Sequence, residues 1–229
     1  MKISVLMHAA AVVQLLPPVI APFVRRTLSP AKRWVVVWCL FLALQDAVGY
    51  VLASANITNL WLGYVGAPIS GAIALWMLSQ WHEGGTGHMA LRVAIPIFVA
   101  VSVSLSVWVD DPATFSLFAA PFHYLVLLLG ALWTFVTRAL REESPLVSRD
   151  WFWILAGVML YAGASTTIQA IIGYLVEAGR VDLMSGVFNL RAGATLAAFI
   201  AIAGGMLCPT PPTHSGGFSS PRFSRSPSW

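Results

Sequence analysis

The sequence predicts an all-α membrane protein that folds as a bundle of seven transmembrane helices. Hydrophobic residues make up 58% of the chain and charged residues only 10%, and the mean hydropathy is +0.79. So little polar surface excludes a water-soluble globule of this size. Seven apolar runs reach or approach the roughly 20 residues that cross the hydrocarbon core as a helix. Lys and Arg collect in alternate links between these runs, as they do in proteins that cross a membrane several times.

The seven runs are numbered as segments 1 to 7 in chain order. They cover residues 5–24, 34–54, 60–80, 92–109, 115–137, 151–175 and 184–207. Segment 1 lacks a small-x-small cleavage site, and its prolines interrupt the pattern of a signal peptide, so we expect it to be retained. Residues 1–208 then form one transmembrane domain. Residues 209–229 are rich in Pro, Ser and Gly, which predicts a disordered cytoplasmic tail.

Tryptophans and small residues support the individual segments. Small residues recur every four positions from Gly63 to Gly71 in segment 3 and from Ala197 to Gly205 in segment 7. This spacing lets helices approach closely, so both segments are expected to pack inside the bundle. Tryptophans cluster near the predicted segment ends, as interfacial aromatic belts do. These tryptophans are Trp34, Trp61, Trp81, Trp108, Trp151 and Trp153.

The distribution of Lys and Arg predicts the orientation. One side of the bundle has only Lys2 and Arg180, and its fourth link is acidic at Asp110 and Asp111, an expected solvated pair. By the positive-inside rule the N-terminus is therefore outside and the C-terminus cytoplasmic. The basic residues on the other side are Arg25, Arg26, Lys32, Arg33, Arg92, Arg138, Arg141, Arg149, Arg222 and Arg225.

Arg191 lies inside segment 7, and Asp46 is the acidic residue inside segment 2. A guanidinium at that depth costs about 3 kcal/mol on insertion scales, so it must face protein or water rather than lipid. At a rise of 1.5 Å per residue, Asp46 lies about 12 Å and Arg191 about 10 Å below the predicted outer segment ends. The two charges are therefore expected at one level, where they are candidate partners.

Further polar residues fall in the same layer. By the same count, His123 lies about 12 Å, Gln169 about 9 Å and Gln14 about 13 Å below the outer ends, and Tyr50 and Asn189 lie one turn or less closer to the outside. Polar groups at this depth turn toward a shared interior. The predicted ligand-binding set is Arg191, Asp46, His123, Gln169, Tyr50, Gln14 and Asn189.

Two interpretations of this layer remain open. Buried polar residues can simply bond to one another and hold helices in register. Alternatively, the layer is a site open to the outside, where Arg191 binds a small anionic or polar ligand or where Asp46 and His123 exchange protons.

Catalytic, cofactor and metal motifs are missing from the sequence. It contains no GxSxG, HExxH or Walker loop and no histidine pair with metal-ligand spacing, so no cofactor, metal or nucleic-acid partner is predicted. A retinal-linked opsin needs a Schiff-base lysine in segment 7, but the lysines are Lys2 and Lys32. Cys39 and Cys208 lie toward the predicted cytoplasmic side and do not indicate a disulfide scaffold.

One internal similarity indicates a repeat. Residues 45–50 (QDAVGY) resemble residues 169–174 (QAIIGY), and both stretches end shortly before an outer link. Segments 1–3 and 5–7 are then candidate parallel repeats joined by segment 4, a 3+1+3 arrangement found in some small transporters.

The junction of segments 2 and 3 carries a family resemblance. Residues 59–68 (NLWLGYVGAP), together with Asp46 and the stretch 186–189 (GVFN), resemble a group of small stand-alone bacterial seven-helix membrane proteins without an assigned activity. The resemblance covers segments 2, 3 and 7. It implies the seven-helix topology and a bacterial cytoplasmic (inner) membrane.

Three function classes follow from these patterns. The first is a sensor or receptor-like protein whose outer polar layer binds a small molecule and whose partner is otherwise the lipid bilayer. The second is a small-molecule or proton-coupled transporter, which the repeat favours and the apolar inner half opposes. A membrane-embedded hydrolase ranks last, because the sequence shows no nucleophile or metal constellation, and a non-enzyme is favoured.

Overall fold

The computed structural model describes residues 5–25, 28–82, 84–110 and 116–208, and within these ranges the regular structure is helical without strands. Short 3-10 turns at Leu146–Ser148 and Val181–Leu183 precede the last two helices. The predicted tail 209–229, Lys2 and Asp111 lie outside the described residues. The α-helices are α1 (Val5–Val13), α2 (Leu16–Ile20), α3 (Pro30–Ser54), α4 (Leu60–Ser79), α5 (Gly85–Trp108), α6 (Ala119–Ala139), α7 (Asp150–Glu177) and α8 (Met184–Leu207).

Six helices of the described part are long and apolar enough to cross a membrane: α3, the Trp61–Ser79 part of α4, and α5 to α8. The chain is therefore all-helical and has the composition of an integral membrane protein, as the sequence predicted. The bounds of α8 are those of segment 7, and those of α7 lie within two residues of segment 6.

Segment 1 differs from the prediction, because two short helices replace one continuous helix. α1 has 9 residues and α2 has 5, so neither reaches spanning length alone. Pro17 and Pro18 lack the N–H groups that would bond to the carbonyls of Val13 and Gln14, and their rings crowd the preceding turn. The chain turns at this point, where the Leu15 N–H donates to the carbonyl of Val12 at 3.0 Å.

Local chemistry also sets two other helix ends. α5 begins at Gly85, seven residues before segment 4, because Gly84 and Gly85 take positive φ angles of 68° and 79° and turn the chain sharply. α6 begins at Ala119, four residues after the predicted start of segment 5. The carboxylate of Asp110 accepts the Phe118 and Ala119 N–H groups at 3.2 and 2.9 Å. Asp110 therefore caps the start of α6, while Asp111, the other residue of the expected solvated pair, lies outside the described residues.

Close packing of α7 on α8 forms the centre of the bundle, and α4 packs against α3, α5 and α6. At Gly157 an added Cβ would lie 2.6 Å from the Ala198 carbonyl oxygen, and at Gly205 it would lie 2.8 Å from that of Asp150. These two glycines let α7 and α8 approach at backbone distance. α1 and α2 pack mainly on α8, so the broken segment remains part of the bundle.

The bundle has two chemically different ends. The end at which α3, α5 and α7 begin is called the Lys32 end. The opposite end, at which these three helices finish, is called the Asp46 end. At the Lys32 end, the Lys32 ammonium lies 3.1 Å from the Asp150 carboxylate and donates to the Cys208 carbonyl at 2.6 Å, with both charged side chains buried. Toward the middle, Trp38 stacks on Phe199 at 6.0 Å and meets Tyr161 edge-on at 5.7 Å.

Candidate functional site

A cavity of about 420 Å³ lies at the Asp46 end. Its lining comes from α1, α3, α4, α6, α7 and α8, and it extends from Leu60 and Ser116 near the helix ends to Ser70 and Thr195 deeper in the bundle. It is partly open to the surroundings. Five of the seven predicted residues line it, namely Gln14, Asp46, His123, Gln169 and Arg191.

Asp46 holds the broken segment 1 against α3. Gln14, which follows α1, donates from Nε2 to Asp46 Oδ2 at 2.7 Å. Gln14 is only 6% exposed, whereas Asp46 is exposed and lines the cavity. Because Leu15 and the following prolines end α1 at this level, the turn brings the Gln14 amide to the carboxylate. This bond uses Asp46 Oδ2, and Asp46 Oδ1 accepts no hydrogen bond from the described residues.

Arg191 on α8 contacts two tyrosines. Its Nη2 donates to Tyr124 Oη at 3.0 Å, and the guanidinium carbon lies 5.9 Å from the centre of the Tyr124 ring. Tyr161 on α7 meets Tyr124 edge-on at 5.8 Å and lies within electrostatic reach of Arg191. Arg191 as a residue is half-buried and lines the cavity wall. A guanidinium has five N–H donors, and the interactions with Tyr124 and Tyr161 leave donors for a further acceptor.

Asp46 and Arg191 share the cavity, but they do not form a direct ion pair. Both residues are described, and the ion pairs found between described side chains, Lys32–Asp150, Arg149–Glu142 and Arg180–Asp182, do not include them. The two charges nevertheless interact electrostatically across the cavity. The closest bonded neighbour is Gln14 for Asp46 and Tyr124 for Arg191, and Tyr161 also interacts with Arg191.

His123 forms part of the cavity wall beside Tyr124. It is 4% exposed, and its ring lies 4.8 Å from that of Tyr124. The ring interacts with the backbone of Ala67, but Nδ1 makes no hydrogen bond of good geometry. Gly71 makes room for it, because an added Cβ there would lie 3.0 Å from His123 Nδ1 and would overlap Phe98. A buried ring nitrogen without a partner is costly unless a ligand or water satisfies it.

The remaining predicted residues have different environments. Gln169 on α7 lines the cavity and is half-buried. Tyr50 is 58% exposed and lies near His8, with the rings 6.4 Å apart. Asn189 is half-buried. Neither Tyr50 nor Asn189 is among the residues that line the cavity, although Phe188, which precedes Asn189, does line it.

The sequence analysis missed several cavity residues. Tyr124 directly follows His123, and Tyr161 lies deeper on α7, so a depth count that included tyrosines in apolar runs would have found Tyr124. Ser70 accepts a hydrogen bond from Trp38 Nε1 at 3.1 Å and lines the deeper part of the cavity. Serines on membrane helices bond to many neighbours, so the sequence carried no specific signal for Ser70. Within the described residues no cluster of three or more His, Cys, Asp or Glu side chains could hold a metal ion.

No known protein family, curated protein sequence or solved structure matches the chain. The geometry of the cavity is therefore the basis for its interpretation.

Proposed function

We propose that the chain is a membrane protein that binds a small polar or anionic ligand in the cavity at the Asp46 end and acts as a sensor or receptor-like protein. One observation carries this proposal: Asp46 and Arg191 line the same cavity without pairing directly. Ionisable residues within membrane helices are costly, and those that face a cavity are commonly functional. Both charges keep hydrogen-bonding capacity that a ligand can use.

The proposal includes seven membrane crossings, with the broken α1–α2 unit as the first. Basic residues support this orientation, because Arg33, Arg138, Arg141 and Arg149 lie at the Lys32 end, which is then cytoplasmic. The Asp46 end faces outward, so a ligand enters the cavity from outside. The resemblance noted in the sequence gives a bacterial cytoplasmic membrane as the proposed location.

One-sided access supports a sensor. Tyr161 lines the inner part of the cavity, where it packs with Trp38 and Phe199, and all three are at most 8% exposed. Lys32 and Asp150 close the bundle beyond them with a buried ion pair. A ligand bound near Arg191 thus meets packed aromatic rings on its inner side, as expected for a site that detects a molecule without passing it on.

A transporter is the second candidate, and the internal similarity favours it. Gln45 and Gln169 begin the two similar hexapeptides, and both line the cavity. α6 packs against α4 as α1 packs against α8, which is the relation that a 3+1+3 parallel repeat produces. A transporter would then open the Lys32 end in a second state.

Thermal unfolding of the purified protein in lipid nanodiscs tests ligand binding. The probes are acetate, succinate, phosphate, methylammonium and glycine, each over a concentration series. A ligand that binds the folded state raises Tm by mass action. We expect at least one of the anionic or zwitterionic probes to raise the wild-type Tm and Arg191→Gln to abolish that rise.

The matched control is Arg180→Gln, which removes the same charge from an exposed pair with Asp182. It should keep the ligand-dependent rise. If no probe moves the wild-type Tm, or if Arg191→Gln and Arg180→Gln respond alike, the cavity is not the proposed site. Uptake of the stabilising probe into proteoliposomes then separates the two functions, since accumulation that Asp46→Asn blocks indicates a transporter and binding without uptake indicates a sensor.

A further inference from the structure

The polar groups of the cavity divide into two sets of opposite hydrogen-bonding character. The first set consists of acceptors, Asp46 Oδ1 and Gln14 Oε1. The second set is the donor array of Arg191, with Tyr124 beside it. The division bears on the chemistry of the ligand, because each set selects a group of complementary charge.

The acceptor set is preorganised. Gln14 donates from Nε2 to Asp46 Oδ2, so its own Oε1 stands on the same amide, next to the carboxylate. Gln14 Oε1 is buried and has no hydrogen-bond partner. Two neighbouring acceptors, one of them charged, are suited to an ammonium group, which has three N–H donors. A ligand anion would be repelled from this part of the cavity.

The donor set lies on the opposing helices. Arg191 uses one donor for Tyr124 Oη at 3.0 Å, and this contact fixes the guanidinium on α8 relative to α6. A planar guanidinium with free donors is suited to bidentate binding of a carboxylate. His123 stands beside Tyr124 on the same wall, and its buried Nδ1 makes no hydrogen bond of good geometry, although the ring also interacts with the Ala67 backbone.

We propose that the ligand is a small zwitterion, with its ammonium group at Asp46 and Gln14 and its carboxylate at Arg191. This inference rests on the proposed function and adds the class of ligand. A zwitterion satisfies both cavity charges at once, whereas a simple anion leaves Asp46 unpaired and a simple amine leaves Arg191 unpaired. A cavity of about 420 Å³ lies within the range of small-molecule sites and accommodates a molecule of amino-acid size.

A homologous series of ω-amino acids tests the inference. The probes are glycine, 3-aminopropanoate, 4-aminobutanoate, 5-aminopentanoate and 6-aminohexanoate, whose charges are separated by increasing chain length. The controls for each length are the alkylamine and the alkanoate, alone and mixed at equal concentration. Binding to the wild-type protein in nanodiscs is measured by calorimetry. We expect at least one amino acid to bind about tenfold or more tightly than either control, because a second charged hydrogen-bond group is engaged.

Two variants assign the two ends of the ligand. Asp46→Asn should remove the advantage of the amino acid over the alkanoate, and Arg191→Gln should remove its advantage over the alkylamine. The matched controls Asp182→Asn and Arg180→Gln change the same groups in an exposed pair and should keep both advantages. If a cavity variant fails to fold, the ratios of the wild-type affinities decide the question.

The outcomes distinguish this inference from the proposed function. If alkanoates bind as tightly as amino acids and Asp46→Asn leaves their affinity unchanged, the cavity is an anion site and the zwitterion inference fails while the proposed function stands. If amines alone bind, the inference fails in the same way. If neither the series nor its controls bind, the zwitterion inference fails, and the wider probe panel decides the proposed function.

Discussion

Lys32 and Asp150 form a buried ion pair that joins three helices at one end of the bundle. The ammonium lies 3.1 Å from Asp150 Oδ2, and it also donates to the backbone carbonyl of Cys208 at 2.6 Å. Lys32 is on the first turn of α3, Asp150 is the first residue of α7, and Cys208 follows α8. This contact closes the end of the bundle opposite the cavity.

Removing one partner of this pair should be costly. Lys32→Met removes the Lys32 cation from the buried Asp150 carboxylate, and we expect a loss of about 3–5 kcal/mol in the free energy of unfolding. Lys32→Met combined with Asp150→Leu should recover a large part of it, because an apolar pair needs no desolvation of charge. Reversible unfolding in mixed micelles measures both values. As a control, Arg180→Met in the exposed pair with Asp182 should cost less than about 1 kcal/mol. If the double variant loses as much as the two single variants together, Lys32 and Asp150 do not interact and the account is contradicted.

Gln14 should be energetically coupled to Asp46. A hydrogen bond to a charged group contributes about 1.5–3 kcal/mol, so a double-mutant cycle of Gln14→Ala and Asp46→Ala should give a coupling energy in that range. The same unfolding assay gives the four values of the cycle. Gln80→Ala is the control, because among the described residues the Gln80 amide bonds within its own turn, to Trp76 and Ser79. Coupling of Asp46 to Gln80 as large as that to Gln14 would refute the contact.

Glycines at the α7–α8 contact should not tolerate a methyl group. Gly205→Ala would place Cβ 2.8 Å from the Asp150 carbonyl oxygen, and Gly157→Ala would place it 2.6 Å from that of Ala198. We expect losses of about 1–3 kcal/mol from overpacking. At Gly163 the nearest atom lies at 3.8 Å, so Gly163→Ala should be neutral or stabilising by up to about 1 kcal/mol through helix propensity. Equal effects at all three positions would show that α7 and α8 are packed less closely.

His82 should give the stability a pH dependence. It lies between α4 and α5, 3.3 Å from Thr134 Oγ1, and burial together with the nearby charges of Arg138 and Arg141 lowers its pKa below the ordinary 6.5. The unfolded chain therefore binds a proton at a higher pH than the folded chain does. The stability from neutral His82 is present above pH 6.5 and declines as the pH falls through that value. From pH 8 to 5, the free energy of unfolding should decline more steeply in the wild type than in His82→Gln, by at most about 1.4 kcal/mol per pH unit. Parallel curves for the two proteins would contradict this prediction.

Much of the fold was predictable because membrane-spanning helices have a distinctive amino-acid composition. The apolar runs that became α3 to α8 are long, and residues such as Arg33 and Arg149 mark the links between them. Segment 1 was predicted as continuous, although Pro17 and Pro18 lie within it. Prolines break a membrane helix when other residues stabilise the backbone carbonyls that have lost their partners. Here the contacts that hold the broken segment come from α8 and Asp46, which are distant in the sequence.

The candidate site was predictable in depth but not in pairing. A rise of 1.5 Å per residue places Asp46, His123 and Arg191 in one layer, and all three line the cavity. The direct partners, Gln14 for Asp46 and Tyr124 for Arg191, depend on the rotation of each helix about its axis, which nearly uniform apolar runs do not specify. The pair of Lys32 and Asp150 was not predicted for a different reason, because both residues belonged to links that were expected to be solvated.

The central claim is that a water-accessible cavity, reached from outside, exposes both Asp46 and Arg191 to small molecules. Ala67 lines this cavity and is half-buried, so Ala67→Cys introduces a thiol with little change in volume. The native Cys39 is fully buried, and Cys208→Ser removes the other thiol without altering the carbonyl that binds Lys32. Membrane-impermeant methanethiosulfonates, one with a sulfonate and one with a trimethylammonium group, are added to intact cells.

The rate of modification at position 67 by the two reagents is the most direct measurement of this claim. We predict that both reagents react from outside, that Arg191→Gln lowers the ratio of the sulfonate rate to the trimethylammonium rate, and that Asp46→Asn raises it, because each change removes one charge from the cavity wall. Absence of modification from outside, or a rate ratio that neither substitution changes, would contradict the account.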